Sequence, residues 1–288
     1  MNIKSIAIEV TDKAFLPEAY AYHNYFESLG YDCKLVQKGS NDILNYDCVM
    51  LFHGFHPFWR KYPKFIIGEY HSLSTGSFNR AKDIFKRALN VRPNLYIFLN
   101  ENVRKKLWFS KKINYITRGM GYSRKDFEKF ISEEKIFDIV YCGSYRDGVL
   151  EEIKKMVDLG LSVALVGIKA PFEHKNLTSF GRLEPDEAKK VISQSKYGFN
   201  YTPDVFPLNI QDSTKVIEYC AAGLGVITNK YKWVNNFENN RDAKFLDLQK
   251  IESLNDVLMF NYVTPIVDDL DWLLLMEKSN INEKLNLF

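Results

Sequence analysis

The sequence predicts an α/β protein made of two Rossmann-like domains that face each other across a cleft. Short apolar strands alternate with amphipathic helical stretches along both halves of the chain, a pattern typical of parallel sheets covered by helices. The 288 residues exceed what one small core accommodates and fit two domains of ordinary size. An acidic run, SEEK at 132–135, separates the two series. In such folds a ligand is expected between the domains, at the carboxyl ends of the strands.

The first half of the chain predicts five strands and three helices. A helix over 16–30 has Pro17 near its start and Gly30 past its end, which are the preferred residues at those positions. A second helix is predicted over 79–89, and a third starts near Asn102. The strands are predicted at 4–10, 33–37, 48–54, 64–70 and 95–101.

The second half repeats this alternation after the acidic run. A helix over 213–222 leads into a strand at 225–229, and a C-terminal helix is predicted over 265–288. The other elements are strands at 137–144, 162–168, 177–183 and 197–203 and helices at 148–159 and 185–194. The predicted domains are an acceptor-side domain at 1–133, a nucleotide-sugar domain at 134–264, and a helical tail at 265–288 that is expected to pack back on the N-terminal domain.

Composition excludes several classes of protein. The hydrophobic share of 46% and the charged share of 26% are those of a globular protein in water. No apolar run approaches the roughly 20 residues that span a bilayer, and the apolar start is too short for a signal peptide. The four cysteines show no paired spacing, which predicts reduced thiols in a cytoplasmic protein. The five histidines form no HExxH or HxxxH pattern, so neither a metal nor another cofactor is predicted.

Charge is distributed unevenly along the chain. Residues 1–132 contain 21 Lys and Arg against 12 Asp and Glu, whereas residues 133–288 contain 18 against 24. The basic half predicts an anionic partner, such as a membrane surface or a phosphorylated acceptor. Its stretches 55–65 and 103–112 mix aromatic rings with Lys and Arg, which suits peripheral docking on the inner face of the plasma membrane. A solvated helix face explains either stretch taken singly, and nucleic acid is not expected.

The stretch DSTKVIEYCAAGLGVIT at 212–228 carries the clearest chemical pattern. Its capping-type residues, 212–214, lead into a helix whose first turn offers unpaired backbone N–H groups and the positive end of the helix dipole. Lys215 adds a mobile charge suited to phosphate. Glu218 follows on the same face, where its carboxylate can accept two vicinal ribose hydroxyls. The pattern predicts a nucleoside-diphosphate site.

Two structural explanations compete with a ligand site in this stretch. Lys215 and Glu218 stand at i and i+3, the spacing of a surface ion pair, and such pairs are common and contribute little stability. A capping box would also place a Glu in a first turn, but it requires Ser or Thr at the position of Lys215. The segment alone therefore supports the ion pair and the ligand site equally.

The surroundings of this stretch resemble a known family. STKVIEYCAAGLGVIT, preceded by YGFNYTPDVFPLN, closely resembles the nucleotide-sugar motif of GT-B glycosyltransferases of the "glycosyl transferases group 1" type. That motif has a polar residue, then K-x-x-E-Y, then a small-residue turn with Gly and a strand. Upstream, FDIVYCGSYRDG resembles the family's first C-domain strand with its Gly loop, and VALVGI resembles its second strand. The resemblance covers 137–229 well and the N-terminal half weakly.

The resemblance implies that the second domain binds the donor nucleotide. Lys215 would hold the diphosphate, Glu218 the ribose, and Arg182 would lie near the nucleobase. Lys215 and Arg146 would also act in catalysis by stabilising charge on the leaving diphosphate. The implied donor set is Gly143, Ser144, Arg146, Arg182, Ser213, Thr214, Lys215 and Glu218.

The same resemblance implies that the first domain binds the acceptor. His71 comes directly after the predicted strand of the segment KFIIGEYHSLSTGS, where the family often has a His near the transferred sugar, so His71 is the leading catalytic candidate. A hydrogen-bonded structural histidine is the alternative. TRGMGY at 117–122 resembles the loop that closes the family's N-domain. The acceptor-side candidates are His53, His56, Glu69, Ser72 and Arg118.

The chain departs from the family pattern at two places. The family's Gly-rich loop after the first strand is replaced by EVTDKAFLP. The first acid of its E-x7-E pair, which normally touches the donor sugar, is replaced by Ile210.

The implied function is a hexosyltransferase-like enzyme that moves a sugar from a nucleoside-diphosphate sugar to a carbohydrate acceptor, free or lipid-linked, in cell-surface polysaccharide synthesis. The resemblance implies a retaining reaction that needs no metal; an inverting one would need a base such as Glu69, His71 or Asp12. Three alternatives remain open. They are a non-catalytic sugar-nucleotide-binding partner subunit, favoured by Ile210, a nucleotide-sugar 2-epimerase on the same fold, and an unrelated binding protein of two Rossmann-like halves.

Overall fold

The computed structural model of the chain describes residues 3–11, 16–52, 54–74, 76, 78–130 and 134–287. The chain forms two compact units. Unit 1 comprises Met1–Gly121, Ile210–Asp212 and Asp269–Phe288, and unit 2 comprises Tyr122–Asn209 and Ser213–Asp268. The chain therefore leaves unit 2 for unit 1 twice, once for a three-residue segment and once at its C-terminal end.

Each unit contains one six-stranded parallel sheet and several helices. The strands are β1 (Ser5–Val10), β2 (Asp32–Gln37), β3 (Cys48–Phe52), β4 (Phe65–Tyr70), β5 (Leu95–Phe98), β6 (Tyr115–Thr117), β7 (Phe137–Cys142), β8 (Val163–Val166), β9 (Leu177–Gly181), β10 (Ser195–Asn200), β11 (Gly225–Thr228) and β12 (Leu246–Asp247). The helices are α1 (Pro17–Ser28), α2 (Asn79–Leu89), α3 (Glu101–Lys106), α4 (Arg124–Glu128), α5 (Val149–Asp158), α6 (Pro185–Ser193), α7 (Thr214–Ala221), α8 (Lys232–Arg241), α9 (Leu254–Leu258), α10 (Trp272–Lys278) and α11 (Ile281–Asn286). Short 3-10 helices cover Asn41–Asn45, Ser110–Lys112, Leu208–Ile210, Leu248–Lys250 and Asp268–Leu270.

The sheet of unit 1 has the order β2-β1-β3-β4-β5-β6, with every neighbouring pair parallel. β3 has the sequence CVMLF and is buried at all five positions, as expected of a central strand in a sheet covered by helices. α1 places Tyr22 and Phe26 in the core beside this sheet. α10 and α11 complete the same core with Trp272, Met276 and Ile281, so the C-terminal end of the chain belongs to unit 1.

The sheet of unit 2 has the order β12-β11-β10-β7-β8-β9 and is also parallel. α7 packs so closely on β10 that a Cβ at Gly198 would come within 2.1 Å of the Tyr219 ring. The Tyr219 hydroxyl accepts a hydrogen bond from the N–H of Cys142 (3.0 Å) and donates one to the carbonyl of Phe199 (3.3 Å). These contacts hold α7 against both β7 and β10.

The predicted α/β class and the two Rossmann-like units are confirmed. The predicted helix over 79–89 agrees with α2 at both ends, and the predicted strands and helices of unit 2 agree to within a few residues. Sequence reasoning did not find five elements: the ten-residue helix α8 and the short elements β6, α4, α9 and β12. The predicted strand over 95–101 ends at Phe98 because Asn100 caps α3, its side chain accepting from the N–H of Val103 at 2.9 Å.

The single helix predicted over 265–288 is wrong. The structure has two helices there, α10 and α11, separated by Asn280 with a left-handed φ of 55°. Among the residues that the structure describes, no helix combines the length and apolar character needed to cross a membrane.

Candidate functional site

The strand order of unit 2 reverses between β7 and β10, and ligands of doubly wound sheets bind at such a reversal, beyond the carboxyl ends of the strands. Two helices begin there. α7 starts beside the end of β10, because the Ser213 hydroxyl donates to Oδ1 of Asn200 at 3.1 Å. α5 starts beside the residue after β10, because a Cβ at Gly148 would come within 2.5 Å of the Tyr201 hydroxyl. Helix N-termini carry unpaired N–H groups and partial positive charge, so this edge of unit 2 suits an anion.

Ser213 is the residue that caps α7. Its side chain accepts from the backbone N–H of Val216 at 3.3 Å, and Thr214 is the first residue of the helix. Asp212, which the sequence also presented as a cap, belongs to unit 1. Its carboxylate accepts from the N–H of Met120 (3.0 Å) and from Nδ2 of Asn100 (2.8 Å). The cap of α7 is therefore neutral, which leaves the positive end of the helix uncompensated by an acidic cap.

Lys215 and Glu218 contact each other at the start of α7. Nζ of Lys215 lies 2.5 Å from Oε2 of Glu218, and both side chains are partly buried. Burial lowers the pKa of Lys215, but the Glu218 carboxylate outweighs this effect and raises the pKa above its ordinary value. Lys215 is therefore a cation at neutral pH. Nζ also contacts the Cys142 thiol at the end of β7, so the charge lies between α7 and β7.

The loop after β7 approaches the neighbouring loop after β8 very closely. A Cβ at Gly167 would come within 2.3 Å of the Gly143 carbonyl oxygen, and Gly167 has a left-handed φ of 96°. A side chain is therefore excluded at position 167. The Tyr141 hydroxyl donates to the carbonyl of Ser144 at 2.7 Å, and this hydrogen bond holds the loop after β7 in place. The Ser144 side chain is exposed.

Arg146, in the loop after β7, reaches across to the end of β10. We call the reversal of strand order between β7 and β10 the switch point. Its Nη1 donates to the hydroxyl of Thr202, beyond the end of β10, at 2.8 Å. Thr202 is held in turn by Asn229, which follows β11: the Thr202 N–H donates to Oδ1 of Asn229 (2.9 Å), and Nδ2 of Asn229 donates to the Thr202 carbonyl (2.6 Å). Arg146 thus lies between the ends of β7 and β10 with a partner that does not neutralise its charge.

Three residues of this site were missed by sequence reasoning: Thr202, Asn229 and Tyr231. Tyr231 is buried, and its hydroxyl lies 3.4 Å from Nδ2 of Asn200. Burial raises the pKa of Tyr231, so the phenol remains a neutral hydrogen-bonding group. A signal for them exists in the sequence, because Thr202 and Asn229 lie at the carboxyl ends of predicted strands and Tyr231 lies just beyond one, at the edge where ligands bind.

Arg182 does not join this cluster. It follows β9, which is the edge strand of the sheet and is separated from β7 by β8. Its side chain is exposed, and within the described residues it makes no hydrogen bond or ion pair with the other donor candidates. The preceding ring, Phe180, packs edge-on against Phe137 with ring centres 6.0 Å apart.

In unit 1, four charged side chains and one tyrosine form a buried network. The Arg118 guanidinium contacts Oε1 of Glu69 through Nη2 and donates from Nε to the Tyr22 hydroxyl at 2.8 Å. Nδ1 of His71 lies 3.2 Å from Oε1 of Glu18 and 3.7 Å from Oε1 of Glu69. Glu69, Arg118 and Glu18 are almost fully buried, whereas the His71 side chain is 22% exposed. His71 is therefore the member of the network that reaches the surface.

The network fixes the charge of its members. Burial would raise the pKa of Glu69, but Arg118 and His71 outweigh it and lower the pKa below its ordinary value. Burial would lower the pKa of His71, but Glu18 and Glu69 raise it to about 9. Two carboxylates are thus balanced by a guanidinium and an imidazolium at neutral pH. His71 in this state is a hydrogen-bond donor and not a base.

The carboxylates and imidazole also have the spacing of a metal site. One ligand atom from each of Glu18, Glu69 and His71 lies within 4.8 Å of the others. Oε2 of Glu18 and Oε2 of Glu69 are buried without a hydrogen-bond partner among the described residues. A divalent ion there would have to displace the proton of His71 and would face the guanidinium of Arg118. The side chains present therefore fit a proton better than a metal ion.

His56 belongs to a second buried network in unit 1. Its Nε2 donates to the Phe52 carbonyl at 2.6 Å, and its Nδ1 lies 3.2 Å from Oε2 of Glu9. Arg60 contacts the other oxygen of Glu9 at 2.7 Å. Burial would raise the pKa of Glu9, but His56, the N–H of Gly39 and Arg60 lower it to about 2. His56 is 6% exposed, so it stabilises the fold and is not presented to a ligand.

Two acceptor-side candidates, Ser72 and His53, and the alternative base Asp12 remain. Ser72 follows His71 and is partly exposed. His53 and Asp12 lie outside the described residues.

Ile210, at the family's acidic position, is a core residue. It is 6% exposed and packs in unit 1 with Leu73, Phe98, Leu99 and Val103. A carboxylate at this position would be buried among apolar side chains, which is unfavourable. Ile210 therefore has a structural role in the core of unit 1.

No protein-family model and no curated protein sequence matches this chain. Among solved structures, AviGT4, a glycosyltransferase involved in avilamycin A biosynthesis, is similar over 98% of this chain and 97% of its own, with a TM-score of 0.64 and 11% sequence identity. HepE of Anabaena, in complex with UDP and glucose, is similar over 99% and 100%, with a TM-score of 0.63 and 10% identity. The chain has the GT-B fold. The UDP-GlcNAc 2-epimerase of Methanocaldococcus jannaschii is also similar, over 99% and 100%, with a TM-score of 0.53 and 9% identity. The GT-B resemblance noted in the sequence is thereby confirmed as a likeness of fold.

Within this GT-B fold, the donor candidates of unit 2 divide into two groups. Those after β7 and at the start of α7 converge on the switch point, whereas Arg182 stands apart at the edge strand. The converging candidates are Gly143, Ser144, Arg146, Ser213, Thr214, Lys215 and Glu218.

Proposed function

We propose that this chain is a glycosyltransferase that moves a sugar from a nucleoside-diphosphate sugar to a carbohydrate acceptor. The observation that carries the proposal is the start of α7 at the switch point of unit 2, with Lys215 and Glu218 in contact there. A helix N-terminus with a lysine suits a diphosphate, and a carboxylate one turn on suits a ribose. The GT-B fold supports the proposal, because HepE has this fold in complex with UDP and glucose.

Lys215 and Glu218 have capacity left for a ligand. An ammonium group has three donors; one of those on Lys215 is directed to Oε2 of Glu218 and another to the Cys142 thiol, which leaves one for a phosphate oxygen. Oε1 of Glu218 has no hydrogen-bond partner among the described residues, so it could accept a hydrogen bond from a ribose hydroxyl. The ion pair and the ligand site are therefore compatible, since the pair orients both groups before the donor binds.

The chemistry assigned to unit 2 is stabilisation of the leaving diphosphate. Negative charge grows on the diphosphate as the bond to the sugar breaks, and donors already in place lower the barrier to that step. Lys215, the first N–H groups of α7 and the Arg146 guanidinium are the positive groups at the switch point. Thr202 and Asn229 hold Arg146 in position and act as positioning residues.

In unit 1 we assign the acceptor side to His71. As a cation whose Nδ1 faces Glu18, it would donate from Nε2 to a sugar hydroxyl. Its pKa of about 9 makes it unsuited to act as a general base at neutral pH, and Glu69 is bound by Arg118. An inverting reaction would need an enzyme base that removes the proton of the acceptor hydroxyl. A retaining reaction does not need such a base, so it agrees best with this arrangement.

The wider setting is part of the same proposal. The acceptor would be a carbohydrate, including one carried on a lipid, in cell-surface polysaccharide synthesis at the inner face of the plasma membrane. We propose that the reaction needs no metal and no cofactor besides the donor. This extension comes from the family resemblance, with the basic half of the chain as its physical support.

A 2-epimerase acting on a nucleotide sugar is the second candidate. The UDP-GlcNAc 2-epimerase of Methanocaldococcus jannaschii has a similar fold, and the donor site described above would serve either reaction. The two reactions differ in whether nucleoside diphosphate is released.

Incubation with UDP-, GDP- and ADP-sugars, with and without a carbohydrate acceptor, separates these functions. Acceptor-dependent release of nucleoside diphosphate, unchanged by EDTA, is the expected result. Interconversion of the sugar without an acceptor identifies the epimerase. Binding without turnover identifies a non-catalytic partner subunit, and absence of binding to every nucleotide overturns the proposal.

A further inference from the structure

Helix α2 of unit 1 turns its polar side towards the protein. None of its residues, all of which the structure describes, is buried. Asp83 accepts from the backbone N–H of Ser74 at 3.2 Å, and Nζ of Lys86 donates to the Ser74 hydroxyl at 3.0 Å. Nη1 of Arg87 donates to the Tyr96 hydroxyl at 2.9 Å. The contacts that attach α2 to unit 1 are thus made by its charged residues.

The outward side of α2 carries its apolar residues. Phe78, just before the helix, is 83% exposed, Phe85 is 63% exposed and Ile84 is 54% exposed. Ala81 and Ala88 lie on the same side at helical spacing and are exposed as well. A surface helix in water normally turns such a face inward. This orientation indicates that the apolar side of α2 has an apolar partner outside unit 1.

The loop before β4 extends the apolar side of α2. The N–H of Phe58 donates to the carbonyl of Leu89 at 2.8 Å, which places this loop against the last turn of the helix. The Trp59 ring lies 5.1 Å from that of Phe58 and 5.9 Å from that of Phe55, and all three rings are exposed. We call this surface the α2 patch; its members are Phe55, Phe58, Trp59, Phe78, Ala81, Ile84, Phe85 and Ala88.

The sequence around the α2 patch is strongly basic. Residues 55–65 contain three Lys and Arg and no acid, and residues 78–92 contain five and one acid, Asp83, which is bound inward. Lys61 and Arg80 are exposed beside the patch. Two copies of such a surface would repel each other, whereas an anionic surface would attract it. Charge therefore favours an anionic partner over a second copy of the chain.

We propose that the α2 patch docks on an anionic lipid bilayer. Aromatic and aliphatic side chains on one face, with Lys and Arg beside them, are the features of helices that lie at the headgroup boundary. The patch includes the stretch 55–65 that the sequence singled out. In the other stretch, 103–112, Val103 and Leu107 are core residues. The inference agrees with a lipid-linked acceptor but does not rest on the proposed sugar transfer.

Vesicle flotation of the whole chain tests this proposal without any donor or acceptor present. We expect binding to phosphatidylcholine vesicles that contain phosphatidylglycerol, weakened by salt, and little binding to phosphatidylcholine alone. Ile84→Gln combined with Phe85→Gln should lower the partition coefficient by about tenfold or more, because two large apolar side chains leave the interface. Met259→Gln combined with Ile266→Gln is the matched control, since these residues of unit 2 are 80% and 81% exposed, and it should bind like the wild type.

The position of Trp59 gives a second readout. Brominated lipids should quench its fluorescence, and the quenching should be lost in Trp59→Phe but kept in Trp233→Phe. Equal binding to both vesicle types, or wild-type binding by the Ile84→Gln, Phe85→Gln variant, overturns the proposal. Self-association of the wild type that this variant abolishes, without vesicle binding, also overturns it and identifies a second copy as the partner.

Discussion

The candidate sites of the two units differ in the burial and pairing of their charged side chains. In unit 2, Lys215 and Arg146 are partly exposed and have partners that leave donors available. In unit 1, Arg118 and Glu69 are buried and form an ion pair with each other, and His71 is the member of the network that extends to the surface. The difference supports the proposal that unit 2 offers its charged groups to a ligand, whereas unit 1 uses its charged groups to hold one imidazole in a fixed place and protonation state.

The largest expected effect comes from removing the buried cation of unit 1. Arg118→Met would leave Glu69 buried without its main partner, which typically destabilises a protein by about 3–5 kcal/mol. Arg146→Met in unit 2 removes a partly exposed hydrogen bond to Thr202 and should cost about 1 kcal/mol. Urea denaturation measures the free energy of unfolding of both variants. Equal losses of unfolding free energy in the two variants would contradict the difference in burial and pairing that we assign to the two units.

The second effect is a pH dependence that belongs to unit 1. The pKa of His71 is raised from 6.5 to about 9 by its carboxylate partners, so its contribution to stability is complete below pH 6.5 and is lost as the pH rises through 9. The difference in unfolding free energy between the wild type and His71→Gln should therefore shrink over this window, by at most about 3 kcal/mol. Glu18→Gln should narrow this pH window, because it removes one of the two carboxylates that raise the pKa of His71. A difference that stays constant from pH 6 to pH 9.5 would contradict the charged state assigned to His71.

The third effect concerns ligand affinity in unit 2 and not stability. Lys215→Ala should weaken binding of the donor's nucleoside diphosphate about tenfold or more, because a hydrogen-bonded charge on the phosphates is lost. Lys154→Ala is the matched control, since Lys154 forms an exposed ion pair with Asp158 at 2.7 Å on α5, and its affinity should equal that of the wild type. Calorimetric titration with UDP, GDP and ADP measures both variants. Unchanged affinity in Lys215→Ala would show that its contact with Glu218 is only an ion pair.

Sequence reasoning grouped the candidate residues of unit 2 better than those of unit 1. Ser213, Lys215 and Glu218 lie within one turn and a half of helix, so their spacing alone places them together. The network of unit 1 joins α1, β4 and the residue after β6, which are far apart in the sequence. Glu69 and His71 were singled out, but their partner Glu18 was not, because no local pattern connects it to them.

The same limit explains two other findings. The apolar periodicity of α2 predicts an amphipathic helix but not which side faces the protein, and here the charged side does. Ile210 looked like a lost acid in the motif, whereas it fills a core made by β5, α3 and the loop after β4.

The alternation of strands and helices and the capped start of α7 were determined by the sequence itself, because periodicity and capping act between residues close in the chain. Only the tertiary structure decided which charged side chains pair inside each unit, which of them stay partly exposed, and which face of α2 lies outside. The physical reason is that burial and electrostatic pairing depend on the surroundings that distant segments create together.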